Sequence, residues 1–239
     1  MAIKITSTKN VASNGVKLLT YGKAGIGKTV LCSTATTPVI ISAESGLLSL
    51  QDLDIKAIEV TTVDQVREAL MWCQMSKEAK GHDTICLDSI SEIAEVMITE
   101  YKKEYKDARQ AYGNLADDMS RIIRDFRDLK NKHVYFSAKM QRVTDDDTGI
   151  TTYKPAMPGK QLLNGLPYFF DEIFFMKMGS YTDDDGKLIK YRCLQTGPDL
   201  KHEGKDRSGR LSLIEKPDLA YVIDKIQNKK EEGETIDEE

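Results

Sequence analysis

Apolar residues along this chain fall into two patterns. Val16–Tyr21 (VKLLTY), Pro38–Ser42 (PVIIS), Thr84–Asp88 (TICLD) and His133–Ser137 (HVYFS) are short β-leaning runs and read as buried strands. Ile55–Val60 adds a further strand. Elsewhere apolar positions recur every three or four residues. Val63, Val66, Leu70 and Cys73 follow a Thr62-x-x-Gln65 capping box and predict a helix over 63–78. Ser89-x-x-Glu92 opens a second helix, with Ile90, Ile93, Met97 and Tyr101 on its apolar face. Leu115, Met119, Ile122, Phe126 and Leu129 mark a third. The acidic turns Asp145–Gly149 and Asp183–Gly186 lie between β-leaning runs as hairpin tips, the second joining Glu172–Met178 to Leu188–Gln195. Pro217 opens a last amphipathic helix carrying Leu219, Val222, Ile223 and Ile226. Strands that alternate with helices before a strand-rich end predict an α/β fold. Its sheet is mainly parallel and takes antiparallel strands at its C-terminal edge.

Composition narrows the class. At 239 residues the chain is long enough for one substantial α/β domain. The opening MAIKITSTKN has no apolar core of signal-peptide length, and no run of about 18 apolar residues occurs. A soluble, cytoplasmic protein with no membrane partner is expected. Cys32, Cys73, Cys86 and Cys193 are scattered, which favours buried free thiols over disulfides or a metal site, and His82, His133 and His202 have no ligand spacing. The net charge of −4 resides in residues 229–239 (KKEEGETIDEE), with two positive and six negative charges. Residues 1–228 are therefore neutral overall, and the tail is expected to be disordered. The expected organisation is a lead-in over 1–14, one domain over 15–228 and the acidic tail. A neutral body is not a bulk nucleic-acid binder, so any DNA contact must come from local basic loops.

The most specific chemistry lies in YGKAGIGKTVL, where Gly22-x-x-x-x-Gly27-Lys28-Thr29 is the phosphate-cradling P-loop pattern. A β-leaning run precedes it, and a short helix is expected from Lys28 until Pro38 stops it. Gly22, Gly25 and Gly27 permit positive φ and close backbone approach. Lys23, Ala24, Ile26 and Val30 complete the cradle, whose amides and helix N-terminus suit polyphosphate. Lys28 is placed to reach the β- and γ-phosphates, and Thr29 to put its hydroxyl on Mg²⁺. The pattern implies a bound nucleoside triphosphate, ATP with Mg²⁺.

Two acids and three basic stretches are further candidates. Asp88 closes an apolar strand about 60 residues after the P-loop, either as a carboxylate for Mg²⁺ or as the cap of the next helix. Glu44 ends the strand after the P-loop helix, either orienting a water that attacks the γ-phosphate or lying on a surface loop. Tyr101–Tyr112 mixes Lys102, Lys103 and Arg109 with tyrosines, and Lys139–Tyr168 carries Lys139, Arg142, Lys154 and Lys160. Cations with interleaved aromatics suit single-stranded DNA, though a solvated helix face also accounts for the first stretch. Lys205-Asp206-Arg207-Ser208-Gly209 is a basic turn far from the P-loop in sequence. Such a cation, placed against the γ-phosphate across a subunit interface, raises hydrolysis by roughly 10³–10⁵.

The ordered set GKAGIGKT, IISAESG, ICLDSIS, VYFSAKMQR, Pro158-Gly159-Lys160, PYFFDEIFFMKM and KDRSG resembles RecA-like recombinase ATPases over roughly residues 15–228. It is most similar to compact phage nucleotide-binding proteins of the Sak type, which act in single-strand annealing and recombination. The resemblance implies a RecA-like P-loop core in a bacterial host's cytoplasm. Glu44 matches the water-activating glutamate and Asp88 the Walker-B aspartate. Tyr101–Tyr112 and Lys139–Tyr168 fall at the two DNA loops, and Lys205 and Arg207 match basic residues that reach a neighbouring subunit's nucleotide. It further implies head-to-tail assembly on single-stranded DNA. One departure is that Lys139 stands where the family has a γ-phosphate-sensing glutamine, with Gln141 two residues on. The other reading is a non-hydrolysing, nucleotide-switched module that loads a single-strand-binding or annealing partner.

Overall fold

The computed structural model describes residues 14–44 and 46–228; the expected lead-in (all but Asn14) and acidic tail lie outside the described residues. The first five strands of the chain run parallel: β1 (Lys17–Gly22), β2 (Pro38–Ser42), β3 (Lys56–Glu59), β4 (Thr84–Asp88) and β5 (His133–Thr144). Next in the chain come β6 (Thr151–Pro155), β7 (Glu172–Thr182), β8 (Leu188–Gln195), β9 (Lys205–Asp206) and β10 (Ile214–Glu215). The order across the sheet is β10-β8-β7-β1-β5-β4-β2-β3, with β6 on β5 and β9 on β7. β7 is parallel to β1, while β8, β9 and β10 add antiparallel at the C-terminal edge, as the patterning predicts.

Side chains alternate across this sheet with period two. Leu19, Tyr21, Val39, Ile41, Ile85, Leu87, Val134 and Phe136 enter one core, and Leu18, Ile40, Cys86 and Tyr135 enter the other. The first core is covered by α2 (Val63–Met75), α3 (Ile90–Glu104), α4 (Ala108–Arg127) and α5 (Lys160–Gly165). The second is covered by α1 (Lys28–Cys32) and α6 (Leu219–Gln227). Thr62 and Ser89 cap α2 and α3 by accepting from the Gln65 and Glu92 amides. All four cysteines are buried and free.

Several element ends differ from the sequence expectation, β7 for one running on to Thr182. α1 does not run to Pro38 but stops at Cys32. The Ser33 and Thr34 hydroxyls donate back to the Val30 and Leu31 carbonyls, and Thr34 Oγ1 also accepts from the Leu219 amide. These bonds replace the helical continuation, because Ser and Thr compete for backbone partners. α2 ends at Met75, where Ser76 turns extended, and a short 3-10 turn follows at Glu78–Gly81. β5 outlasts its expected end at Ser137, because Met140–Thr144 pair with β6 once β1 and β4 have ended.

Candidate functional site

The loop from Gly22 to Lys28 joins the C-terminal end of β1 to α1. Gly25 and Gly27 take φ of 73° and 111°, a region that side chains disfavour. At Gly22 a Cβ would lie 2.7 Å from the Met176 carbonyl oxygen, so backbone packing alone requires glycine there. The Lys28 ammonium arcs back over the loop and donates to the Gly22 and Lys23 carbonyls at 3.1 Å each. Burial lowers its pKa, and the Glu44 and Asp88 charges oppose that shift. With only five residues, α1 has few aligned peptide dipoles, so the loop amides rather than the macrodipole carry the anion affinity.

Period-two alternation puts Asp88 on the same face as Cys86, towards α1. Its carboxylate is 2% exposed and accepts from Thr29 Oγ1 at 2.6 Å. β5 lies between β1 and β4 and presents Ser137, whose hydroxyl bonds the other Asp88 oxygen. Ser42 pairs with Asp88 across β2 and β4, and among the described residues its buried hydroxyl has no hydrogen-bond partner. Glu44 follows β2 and accepts from the Ser89 hydroxyl. Thr29, Asp88 and Ser42 supply hard oxygens, the donor chemistry Mg²⁺ takes beside phosphate and water. Among the described residues no cluster of three or more His, Cys, Asp or Glu could hold a metal alone. A Mg²⁺ sharing its ligands with a substrate phosphate fits that donor set. Ser42, Ser89 and Ser137 were missed by sequence reasoning, because serine at a strand end carries no signal until the strand order is known.

The basic candidates separate. β9 pairs with the start of β7, so Asp206 is level with Glu172 and, across β7, with Leu18. Lys205 and Arg207 therefore lie at the pole opposite Gly22, about 13 Å along the strands. Lys205 donates to the Pro167 and Phe170 carbonyls, and Arg207 to Asp171 at 2.8 Å. Lys139 is held by Glu92 and Glu95 at 2.5 and 2.8 Å. Burial lowers its pKa, but those two carboxylates outweigh it and raise the pKa overall. Lys154 pairs with Glu203 at 3.0 Å. Arg142, at the exposed hairpin, donates to the Thr151 hydroxyl at 3.4 Å and has no carboxylate partner among the described residues.

The stretch Tyr101–Tyr112 is not a free loop: it ends α3, breaks only at Tyr105–Asp107 and begins α4. Tyr101 is buried and bonded to Asp118, which removes it from any stacking role. Lys102 lies 5.2 Å from the Tyr112 ring centre, and a Cβ on Gly159 would touch the same ring at 3.3 Å. The two candidate DNA stretches thus meet at Tyr112, with Lys103, Arg109 and Lys160 exposed around them. The P-loop strand is tied to the β5–β6 hairpin, since the Tyr21 hydroxyl donates to the Tyr153 or Glu203 carbonyl, 3.1 and 2.7 Å away.

A family model described as an AAA domain matches residues 14–208. No curated protein matches the sequence. Among solved structures, a KaiC-like protein from the hyperthermophilic archaeon Pyrococcus horikoshii OT3 aligns at 11% identity over 76% of this chain and 79% of that one, with a TM-score of 0.37. A prototypical ATPase from the type III secretion system of pathogenic bacteria aligns at 13% identity, with a TM-score of 0.47. The alignment covers 68% of this chain and about half, 52%, of the secretion ATPase. Both likenesses are distant. Among the described residues no helix is long and apolar enough to cross a membrane.

Proposed function

The chain belongs to the AAA-domain family of P-loop ATPases, and from that premise we propose that it is a single-stranded-DNA-dependent ATPase of the Sak type. In this reading it acts in phage recombination and single-strand annealing, head-to-tail on DNA. The carrying observation is the 2.6 Å bond from Thr29 to Asp88, which joins the P-loop to the acid of β4 across an intervening strand. Two segments 59 residues apart converge on the place where a nucleotide's metal would sit.

The loop amides and Lys28 bind the triphosphate, Lys28 exchanging two carbonyls for phosphate oxygens. Thr29 and Asp88 would hold Mg²⁺, which would supply positive charge against the developing negative charge of the phosphates. Ser137 orients Asp88, and the Ser42 hydroxyl, unbonded among the described residues, adds an oxygen to that set. Glu44 accepts the proton of the attacking water, and Ser89 fixes its carboxylate. Lys205 and Arg207 serve a neighbouring copy. Their position at the pole opposite the P-loop supports that reading, because their own nucleotide is out of reach. Lys102, Lys103, Arg109, Arg142 and Lys160 contact DNA phosphates, while Lys139 and Lys154 are already paired.

ATP hydrolysis measured with and without single-stranded DNA, beside particle sizing, tests the proposal. DNA should raise turnover and assemble the chain, and Lys28→Ala should abolish turnover. Hydrolysis indifferent to DNA would refute the DNA-dependent reading. Nucleotide binding with negligible turnover even on DNA would favour the switched module that loads a partner.

A further inference from the structure

An open cleft of about 400 Å³ lies beside Gly27, between α1 and the antiparallel edge. That volume suits a small ligand. Val30, Met176, Met178, Tyr191 and Pro217 line it, and Lys190 and Arg192 stand at its polar side. The stem of Arg192 crosses the P-loop. A Cβ at Gly27 would lie 3.4 Å from both Arg192 Cδ and Nε, and 3.3 Å from Met176 Cε. Lys139, Lys154 and Arg207 all have carboxylate partners, whereas among the described residues the Arg192 guanidinium has none. Among the described residues no carboxylate or side-chain amide lines the cleft, and the Thr34 hydroxyl at its edge is engaged by Leu31 and Leu219.

We propose that this cleft receives the nucleoside end of the nucleotide, with Arg192 contacting the phosphates from within the same chain. The inference rests on the nucleotide-binding reading above and adds to it a residue and a specificity. A guanidinium offers a planar fork of donors matched to phosphate oxygens. It lies against the glycine that precedes Lys28, so it meets phosphate rather than solvent when the loop is filled. The base rests on Met178, with Val30 and Pro217 beside it, through dispersion, since a polarizable thioether accepts any flat ring. Telling adenine from guanine requires placed donors and acceptors at the base edge. The cleft wall has no such side-chain pair, so ATP and GTP bind almost alike.

Calorimetric titration of the full chain with ATP, GTP and inorganic tripolyphosphate, each with Mg²⁺, tests this. The two nucleotides should bind within about threefold of each other and at least tenfold tighter than tripolyphosphate. Arg192→Ala should weaken all three about tenfold, with partial recovery in Arg192→Lys. Met178→Ala, at a residue 50% exposed, should weaken ATP and GTP about tenfold and leave tripolyphosphate unchanged. Circular dichroism confirms that the variants are folded. If Lys28→Ala loses binding while Arg192→Ala and Met178→Ala bind as the parent does, nucleotide binding stands and the cleft assignment is overturned. A preference above thirtyfold for one base overturns it too. If the parent binds none of the three, the nucleotide reading itself fails.

Discussion

Replacing Glu172 with Gln tests how the turn bearing Lys205 and Arg207 is held. Glu172 begins β7, is 1% exposed, and faces Asp206 across β9. Its Oε1 accepts from the Ser208 amide at 3.2 Å. Burial, then Asp206, and also Asp171, push its pKa from 4.5 up to about 8. Asp206 is also pushed up by burial, but the Ser208 hydroxyl and the Leu211 and Gly209 amides hold it low. The proton therefore resides on Glu172 and the charge on Asp206. A carboxyl whose folded pKa lies above its unfolded value contributes full stability below about pH 4.5. That contribution is lost as pH rises towards 8. At about 1.4 kcal/mol per pH unit between the two values, the loss is of order 3–5 kcal/mol. Gln keeps the acceptor for Ser208, offers an N–H where the acid has its proton, and never ionises. Thermal unfolding of Glu172→Gln and parent, followed by circular dichroism from pH 5 to 9 at fixed ionic strength, should show little difference at pH 5. By pH 9 the variant should be ahead by roughly 10 °C. A melting difference that does not change with pH would refute the buried, protonated carboxyl.

Three other outcomes follow from the site. Glu44→Gln should bind ATP normally and hydrolyse it about 10²–10⁴-fold more slowly; ordinary turnover would remove Glu44 from the mechanism. Ser137→Ala deprives Asp88 of a hydroxyl donor. It should cost about 1–3 kcal/mol in thermal stability and raise the Mg²⁺ concentration needed for tight ATP binding. An unaltered Mg²⁺ titration would show that Ser137 does not orient Asp88. Lys139→Ala should leave the dependence of single-stranded-DNA affinity on salt unchanged, because Glu92 and Glu95 already neutralise that ammonium. A slope shallower by about 0.7 would return Lys139 to the phosphate-contacting set.

Much of the frame was legible from local rules. Strand runs of period two and helix faces of period 3.6 are properties of a few consecutive residues. The P-loop, the Thr62 and Ser89 caps and the strand ending at Asp88 were therefore readable without any partner. The length of α1 was not, because Thr34 is held by Leu219, 185 residues away. The sequence by itself determined which segments are strands, which face each side chain takes, and that a phosphate-cradling loop precedes an acid-ended strand. Only the tertiary structure decided that β5 slips between β1 and β4, bringing Ser137 onto Asp88. It also decided that Arg207 faces away from its own P-loop, and that Arg192 crosses Gly27 while Lys139 is taken up by α3. The reason is physical. Apolar strands of similar composition are nearly interchangeable as neighbours, and closing a longer loop adds little entropy cost. Strand order is therefore chosen by global packing, and with it which polar groups meet.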